Sequence, residues 1–213
     1  MTPLDKLIAY FEKFPGIGLR QAKRFAFHVL TLRPEQVQEL AELITSIQNS
    51  VVECASCHRF FSDSGIRQAE CSICRNSNRD HSKLLIISRD SDIEAIERSG
   101  VYDGVYFVLG GTVSLLSNSS QQPEKVRNGA LKALVADKTN SKTLKEIILA
   151  FSINPDGENT ARYVENLLAE LIKEYAIEIS YLGRGLSTGS ELEYADPETI
   201  KNALTHRTHN EQT

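Results

Sequence analysis

Apolar positions at helical spacing open the chain. Leu4, Leu7, Ile8 and Phe11 fall on one face, with Thr2 placed to cap that helix and Pro3 at its first position. Phe14-Pro15-Gly16 stops it. After Gly18 the pattern restarts as Ala22, Phe25, Ala26, Val29 and Leu30, the buried stripe of a second helix. Pro34 opens a third, predicted to run to about Ser50 with Val37, Leu40, Ala41, Ile44 and Ile47 turned inward. Residues 1–52 therefore read as a small helical unit.

From Ser82 the texture changes to short apolar runs alternating with helical patterns. The runs at 84–88, 104–111, 146–151 and 177–182 predict four strands, with helices over 92–100, about 123–136, and Thr160 to about Glu174 between them. Strands separated by helices imply a mostly parallel sheet covered on both faces. A Gly-rich segment, 183–198, leads into a last helix from about Pro197 to Thr205, and 118–124 reads as a polar loop. The fold class is thus α/β and multi-domain. The expected division is a helical unit at 1–52, a four-cysteine ribbon at 53–79, an α/β domain at 80–177 and a C-terminal segment at 178–213.

Composition sharpens this picture in two places. The 213-residue chain has 24 Lys and Arg against 28 Asp and Glu, but residues 1–33 hold six basic residues (Lys6, Lys13, Arg20, Lys23, Arg24 and Arg33) against two acids. The N-terminus is the basic end of an otherwise acidic chain. All four cysteines lie between Cys54 and Cys74. No apolar run is long enough to cross a bilayer, and the first residues carry acids rather than a signal-peptide core, so the expectation is a cytoplasmic protein without membrane attachment.

Cys54-x-x-Cys57 and Cys71-x-x-Cys74 are two knuckles able to offer four thiolates to one tetrahedral Zn²⁺, and a closed site of this kind is structural. A pair of disulfides is the other chemistry open to four cysteines, disfavoured in a reducing compartment. His58 is a spare ligand beside Cys57. Phe60, Phe61 and Ile66 are the ribbon's core, and Arg59, Arg67, Arg75 and Arg79 give it basic side chains.

Phe14-Pro15-Gly16-Ile17-Gly18 joins two amphipathic helices as a helix-hairpin-helix does. There, Gly16 and Gly18 allow a tight turn whose free amides, with the second helix's N-terminus, meet a phosphate, and Arg20, Lys23 and Arg24 flank the buried stripe. Sequence-independent DNA binding follows; the plainer alternative is an αα turn with a solvated basic face. His28, next to the stripe, reads as a packed structural histidine. Asp156-Gly157-Glu158 follows the third strand of the α/β region. Carboxylates there can hold a divalent cation such as Mg²⁺, or simply cap the helix that follows.

The order of these parts resembles the RecR family of bacterial recombination proteins. The matching motifs are PGIG with a basic helix and RFAFHVL, the four-cysteine ribbon, AIE, YDGVYFVLGG and DGENTA, and RGLSTGSELEYAD, which together cover essentially the whole chain. The resemblance implies a helix-hairpin-helix domain, a zinc finger, a Toprim domain and a C-terminal segment used in subunit exchange. It also implies a homo-oligomer, a dimer or a ring-like tetramer, that works with RecO, and with RecF, to place RecA on gapped single-stranded DNA. Carried over by position, it puts zinc on Cys54, Cys57, Cys71 and Cys74, DNA contacts on Arg20 and Arg24, and an acidic edge that engages RecO on Asp156 and Glu158. Toprim domains also carry a glutamate after their first strand, where this chain has Ser88, and the stretch after Gly111 departs from the family's Pro- and Gly-rich loop.

The function expected is that of a non-enzymatic DNA clamp and recombination mediator. The alternative is a Toprim-type Mg²⁺-dependent nuclease or primase-like enzyme, which Ser88 deprives of one carboxylate. A third reading is a zinc-ribbon adaptor that binds protein alone.

Overall fold

In the computed structural model, which describes residues 1–62, 69–115, 126–183 and 197–205, the chain forms two compact units. The smaller contains Met1–Val52; the larger contains Glu53–Phe60 and the residues described from Ala69 onward. The predicted loop at 118–124, most of the Gly-rich segment, and Ile66 and Arg67 lie outside the described residues.

The smaller unit holds α1 (Pro3–Glu12), α2 (Leu19–Thr31) and α3 (Pro34–Ser50). Thr2 Oγ1 accepts from the Asp5 N–H at 3.2 Å and the Asp5 carboxylate accepts from the Thr2 N–H at 2.8 Å, a reciprocal capping box that fixes where α1 begins. α1 and α2 meet through Phe11, whose ring lies edge-on to Phe14 and to Phe25 with centroids 5.9 Å apart in both pairs. Ala22 and Ala26 are fully buried beneath them. Three predicted placements fail here. On α2, Phe25 and Leu30 of the expected buried stripe are exposed, the burial being confined to the small Ala22 and Ala26. Every residue of α3 is exposed, the expected inward positions Val37, Leu40, Ala41, Ile44 and Ile47 included, because periodicity shows which face is apolar but not whether this chain supplies its partner. His28 is likewise exposed rather than packed.

A two-stranded sheet of β1 (Val51–Glu53) and β2 (Phe60–Ser62) follows. The larger unit is organised by β3 (Asp80–Ile87), β4 (Gly104–Val108), β5 (Glu146–Ala150) and β6 (Glu178–Tyr181), all parallel in the order β4-β3-β5-β6. Between them run α4 (Asp90–Ser99), α5 (Asn128–Asn140) and α6 (Pro155–Tyr175), and α7 (Pro197–Thr205) comes last. Leu84 and Ile86 of β3 pack in one core with Val105, Phe107, Leu131, Val135, Ile147 and Val164. Leu85, Ile87 and Tyr106 alternate to the opposite face, where the Tyr106 hydroxyl donates to Glu97 of α4. Burial on both faces explains why the central strands read as unbroken apolar runs.

α6 begins five residues before the predicted Thr160. Asn154 caps it, its Oδ1 accepting from the Gly157 N–H at 2.8 Å, and Pro155 takes the first position. Asp156 and Glu158 therefore sit inside the first turn of a helix. Among the described residues no helix is long and apolar enough to cross a membrane.

Candidate metal centre and nucleic-acid interface

The two cysteine knuckles close by the same device. The His58 N–H donates to the Cys54 carbonyl at 3.0 Å and the Arg75 N–H to the Cys71 carbonyl at 3.2 Å, so each loop curls its two sulfurs inward. His58 supports the first curl by adopting a left-handed backbone, with φ of 60°. The Sγ atoms of Cys54 and Cys74 are 3.8 Å apart and those of Cys57 and Cys71 3.7 Å, and all four lie within 4.8 Å of one another.

A tetrahedron of thiolates about 2.3 Å from a central ion has edges of roughly 3.8 Å, whereas a disulfide needs about 2.05 Å. The arrangement fits a metal and excludes the disulfide pairing. Hydrogen bonds from Cys57, Cys71 and Cys74 hold the Cys54 thiol far below its usual range. Contact with Cys54 pushes Cys57 and Cys74 far up, so the four cannot ionise side by side without a cation. His58, the spare ligand, is engaged elsewhere, with Nδ1 at 2.7 Å from Glu53 and its ring edge-on to Phe107.

The ribbon is fastened to the edge strand β4. The Val108 N–H donates to the Cys57 carbonyl at 2.8 Å, Arg127 bridges the Glu53 carboxylate at 3.0 Å and the Val108 carbonyl at 3.1 Å, and the Phe60 N–H donates to Asp90 at 2.7 Å. Arg79 closes the other side by pairing with Glu97 and donating to the Gly104 carbonyl at 2.8 Å. Glu53, Arg127 and Glu97 carry no local motif, and only the tertiary pairing reveals them.

In the hairpin, Gly16 has φ of 75°, a conformation glycine adopts without strain, and the Ile17 N–H returns to the Phe14 carbonyl at 3.1 Å. Gly18 is different. As N-cap of α2 its φ is −88°, open to any residue, and a Cβ there would meet nothing within 4 Å. Neither backbone nor packing among the described residues requires glycine, which leaves room for close approach from outside. No side chain caps α2 and no acid stands in its first turn, unlike α1, α4 and α6. Its N–H groups and dipole thus remain available to an anion. Arg20, Lys23 and Arg24 project into solvent, and no carboxylate lies within 4.0 Å of them among the described residues; Arg24 reaches Gln21 at 3.5 Å.

At the carboxyl edge of the sheet, Ser88 is buried and its hydroxyl has no partner among the described residues. Asp156 accepts from the Leu115 N–H at 3.2 Å, Thr160 accepts from the Val113 N–H at 2.8 Å, and Asn159 donates to the Val113 carbonyl at 3.0 Å. The first turn of α6 therefore holds the segment after β4. Glu158 lies 4.0 Å from Arg162. Gly157 is buried against the chain before it, where a Cβ would strike the Ser152 carbonyl, so the glycine of this motif serves packing. Among the described residues the four cysteines are the one group of three or more metal-ligating side chains drawn together.

Comparison with known proteins agrees with this layout. Residues 4–47 match the family described as RecR, helix-hairpin-helix, residues 82–182 the Toprim domain, and residues 185–208 the family described as RecR, C-terminal. Recombination protein RecR of Limosilactobacillus reuteri is 37% identical over 207 residues, covering 97% of this chain and 96% of the relative. The proteins of the same name from Lactobacillus delbrueckii subsp. bulgaricus and Chlorobium phaeobacteroides are each 34% identical over 206 residues, with the same coverage. With the helix-hairpin-helix, Toprim and C-terminal matches following one another along the chain and relatives matched almost end to end, this chain belongs to the RecR family of recombination proteins.

Proposed function

We propose that the chain is a non-enzymatic DNA-binding mediator of recombinational repair, acting with RecO, and with RecF, to help load RecA at gaps in DNA. The observation that carries this reading is the uncapped N-terminus of α2. Free N–H groups, a Gly18 with open space above it, and the unpaired Arg20, Lys23 and Arg24 converge there. Backbone amides and flexible basic side chains suit the phosphate chain of DNA and carry no base readout, as a protein acting at any gap requires.

Cys54, Cys57, Cys71 and Cys74 hold one structural Zn²⁺ in this reading. A bound Zn²⁺ would be held by these four sulfurs and would supply the positive charge that lets the thiols ionise together, in a closed structural site. Its job is to keep the ribbon folded on β4. At the Toprim edge, Asp156 and Glu158 offer a surface to a protein partner. Asp156 is already committed to the Leu115 N–H and Ser88 stands where a third carboxylate would help hold Mg²⁺, which supports a binding role over a catalytic one.

Self-association belongs to the same proposal. Leu40, Leu43, Ile44 and Ile47 of α3 are exposed on a helix of 17 residues, an apolar patch of the kind that marks a protein–protein surface. A second copy of the smaller unit is the occupant proposed for it.

The test is a salt titration of binding to gapped duplex. Affinity is expected to fall steeply with salt, and R20E/R24E to abolish binding at moderate salt and lower the log–log salt slope by about two, the helical signal staying unchanged. A folded double variant that binds as tightly as the parent would remove the assignment.

A further inference from the structure

We propose that Lys138, on α5, is the counter-cation of the metal centre, its ammonium balancing the net double negative charge that four thiolates keep around one Zn²⁺ and so slowing loss of the ion. The proposal rests on the zinc reading above.

Lys138 and Cys74 line one cavity of about 330 Å³, whose walls include Val105 and Leu134. The lysine is half-buried, and among the described residues no carboxylate lies within 4.0 Å of its ammonium. A cation drawn out of water without an ion pair needs a source of negative potential nearby. Two face it, Cys74 and Glu70, and both favour the charged ammonium while burial pushes its pKa down. Glu70, which lines the same cavity, accepts from the Ser56 hydroxyl and keeps its negative charge, so it acts on Lys138 beside Cys74. Asp137, next to Lys138 on the rim of the same cavity, is exposed.

Backbone donors carry part of the metal centre's charge: the Cys71 N–H reaches the Cys54 sulfur at 3.3 Å, and the amides of Cys57, Arg59 and Cys74 donate to the sulfurs of Cys54, Cys57 and Cys71. A full positive charge is what these dipoles do not supply. Arg59 lines a separate cavity with Asp90, Glu94 and Glu97, and Arg75 is exposed. Lys138 is thus the cation best placed to act on the sulfurs from the side of Cys74, in a partly desolvated space where charge interactions are stronger than in water. It is a positioning residue for the metal, reached from a helix 64 residues further along the chain than Cys74. No sequence spacing marks it.

The experiment uses full-length protein purified with zinc, its metal content measured by mass spectrometry, and follows transfer of zinc to a chromogenic chelator. K138M is expected to release zinc about 10- to 100-fold faster than the parent, the range typical of lost outer-shell partners, while K138R releases it at close to the parental rate. K132M removes an exposed lysine from the same helix and is expected to change nothing.

Should K138M be recovered without metal, zinc titration of K138M, K138Q and K138R reads the same contrast as half-saturation. Both uncharged variants then need 10- to 100-fold more zinc and arginine restores the parental value. Parental release or half-saturation in K138M, with one zinc held, would overturn the role of Lys138. A parental protein that carries no zinc would strike instead at the zinc reading itself.

Discussion

The two units bury their apolar residues in opposite ways. In the larger, Leu84, Ile86, Phe107, Val108 and Ile147 are wholly enclosed by β-strands and helices of the same chain. In the smaller, Ala22 and Ala26 are the fully buried side chains, while Phe27, Leu30 and Leu43 are at least half exposed. Both sequences are amphipathic, so the difference lies in where the partner surface comes from. A parallel sheet brings its own cover through the helices that connect its strands. Three short helices do not, and they leave apolar and basic side chains exposed, the surface that the proposed second subunit and DNA would use. The larger unit is closed by its own chain, and the smaller is not.

The sharpest way to break this contrast is to remove the metal. Chelation, or C54S/C57S, is expected to unfold the ribbon, since structural zinc in small fingers contributes about 10–16 kcal/mol to folding. Because the Val108 N–H donates to the Cys57 carbonyl, amide exchange at Val108 is then expected to accelerate by orders of magnitude, with α1 and α2 unaffected. Exchange at Val108 that ignores zinc would mean that the ribbon does not cover β4.

A smaller effect is expected from G157A. The added Cβ strikes the Ser152 carbonyl, and overpacking of this kind costs about 1–3 kcal/mol, readable as a lower urea midpoint with an unchanged slope. Stability equal to the parent would show that the start of α6 shifts freely.

Smallest in stability, though not in assembly, is L40E/I44E on α3. Both side chains are exposed within the chain, at 41% and 63%, so the separated subunit is expected to keep its stability to within about 0.5 kcal/mol. Sedimentation is expected to show a smaller particle. An unchanged mass would mean that α3 is not an interface.

The legibility of the sequence follows the same division. Unbroken apolar runs such as Leu84–Ile87 mark doubly covered strands, and the two knuckles declare their chemistry through spacing alone. The reach of α3 was not legible, because Val37, Leu40, Ile44 and Ile47 specify a face and not its neighbour. The start of α6 was legible in Asn154-Pro155, an N-cap followed by proline at N1, although apolar periodicity alone points to Thr160. Glu53 and Arg127 pair across distant stretches of chain, and Lys138 shares a cavity with Cys74 from a helix far along the sequence, neither of which a local pattern encodes. The acidic motif at 156–158 shows a further limit: residue type suits a cation, yet geometry commits Asp156 to a loop amide and Gly157 to packing.

The most direct measurement is incubation of the zinc-loaded protein with end-labelled gapped duplex, with and without Mg²⁺, reading mobility and strand integrity from the same samples. Retarded DNA with intact strands under both conditions is the expected result for a DNA-binding mediator whose Toprim edge serves partners. Mg²⁺-dependent cleavage that follows the protein through purification and disappears in D156N/E158Q would contradict it and make that edge an active site despite Ser88.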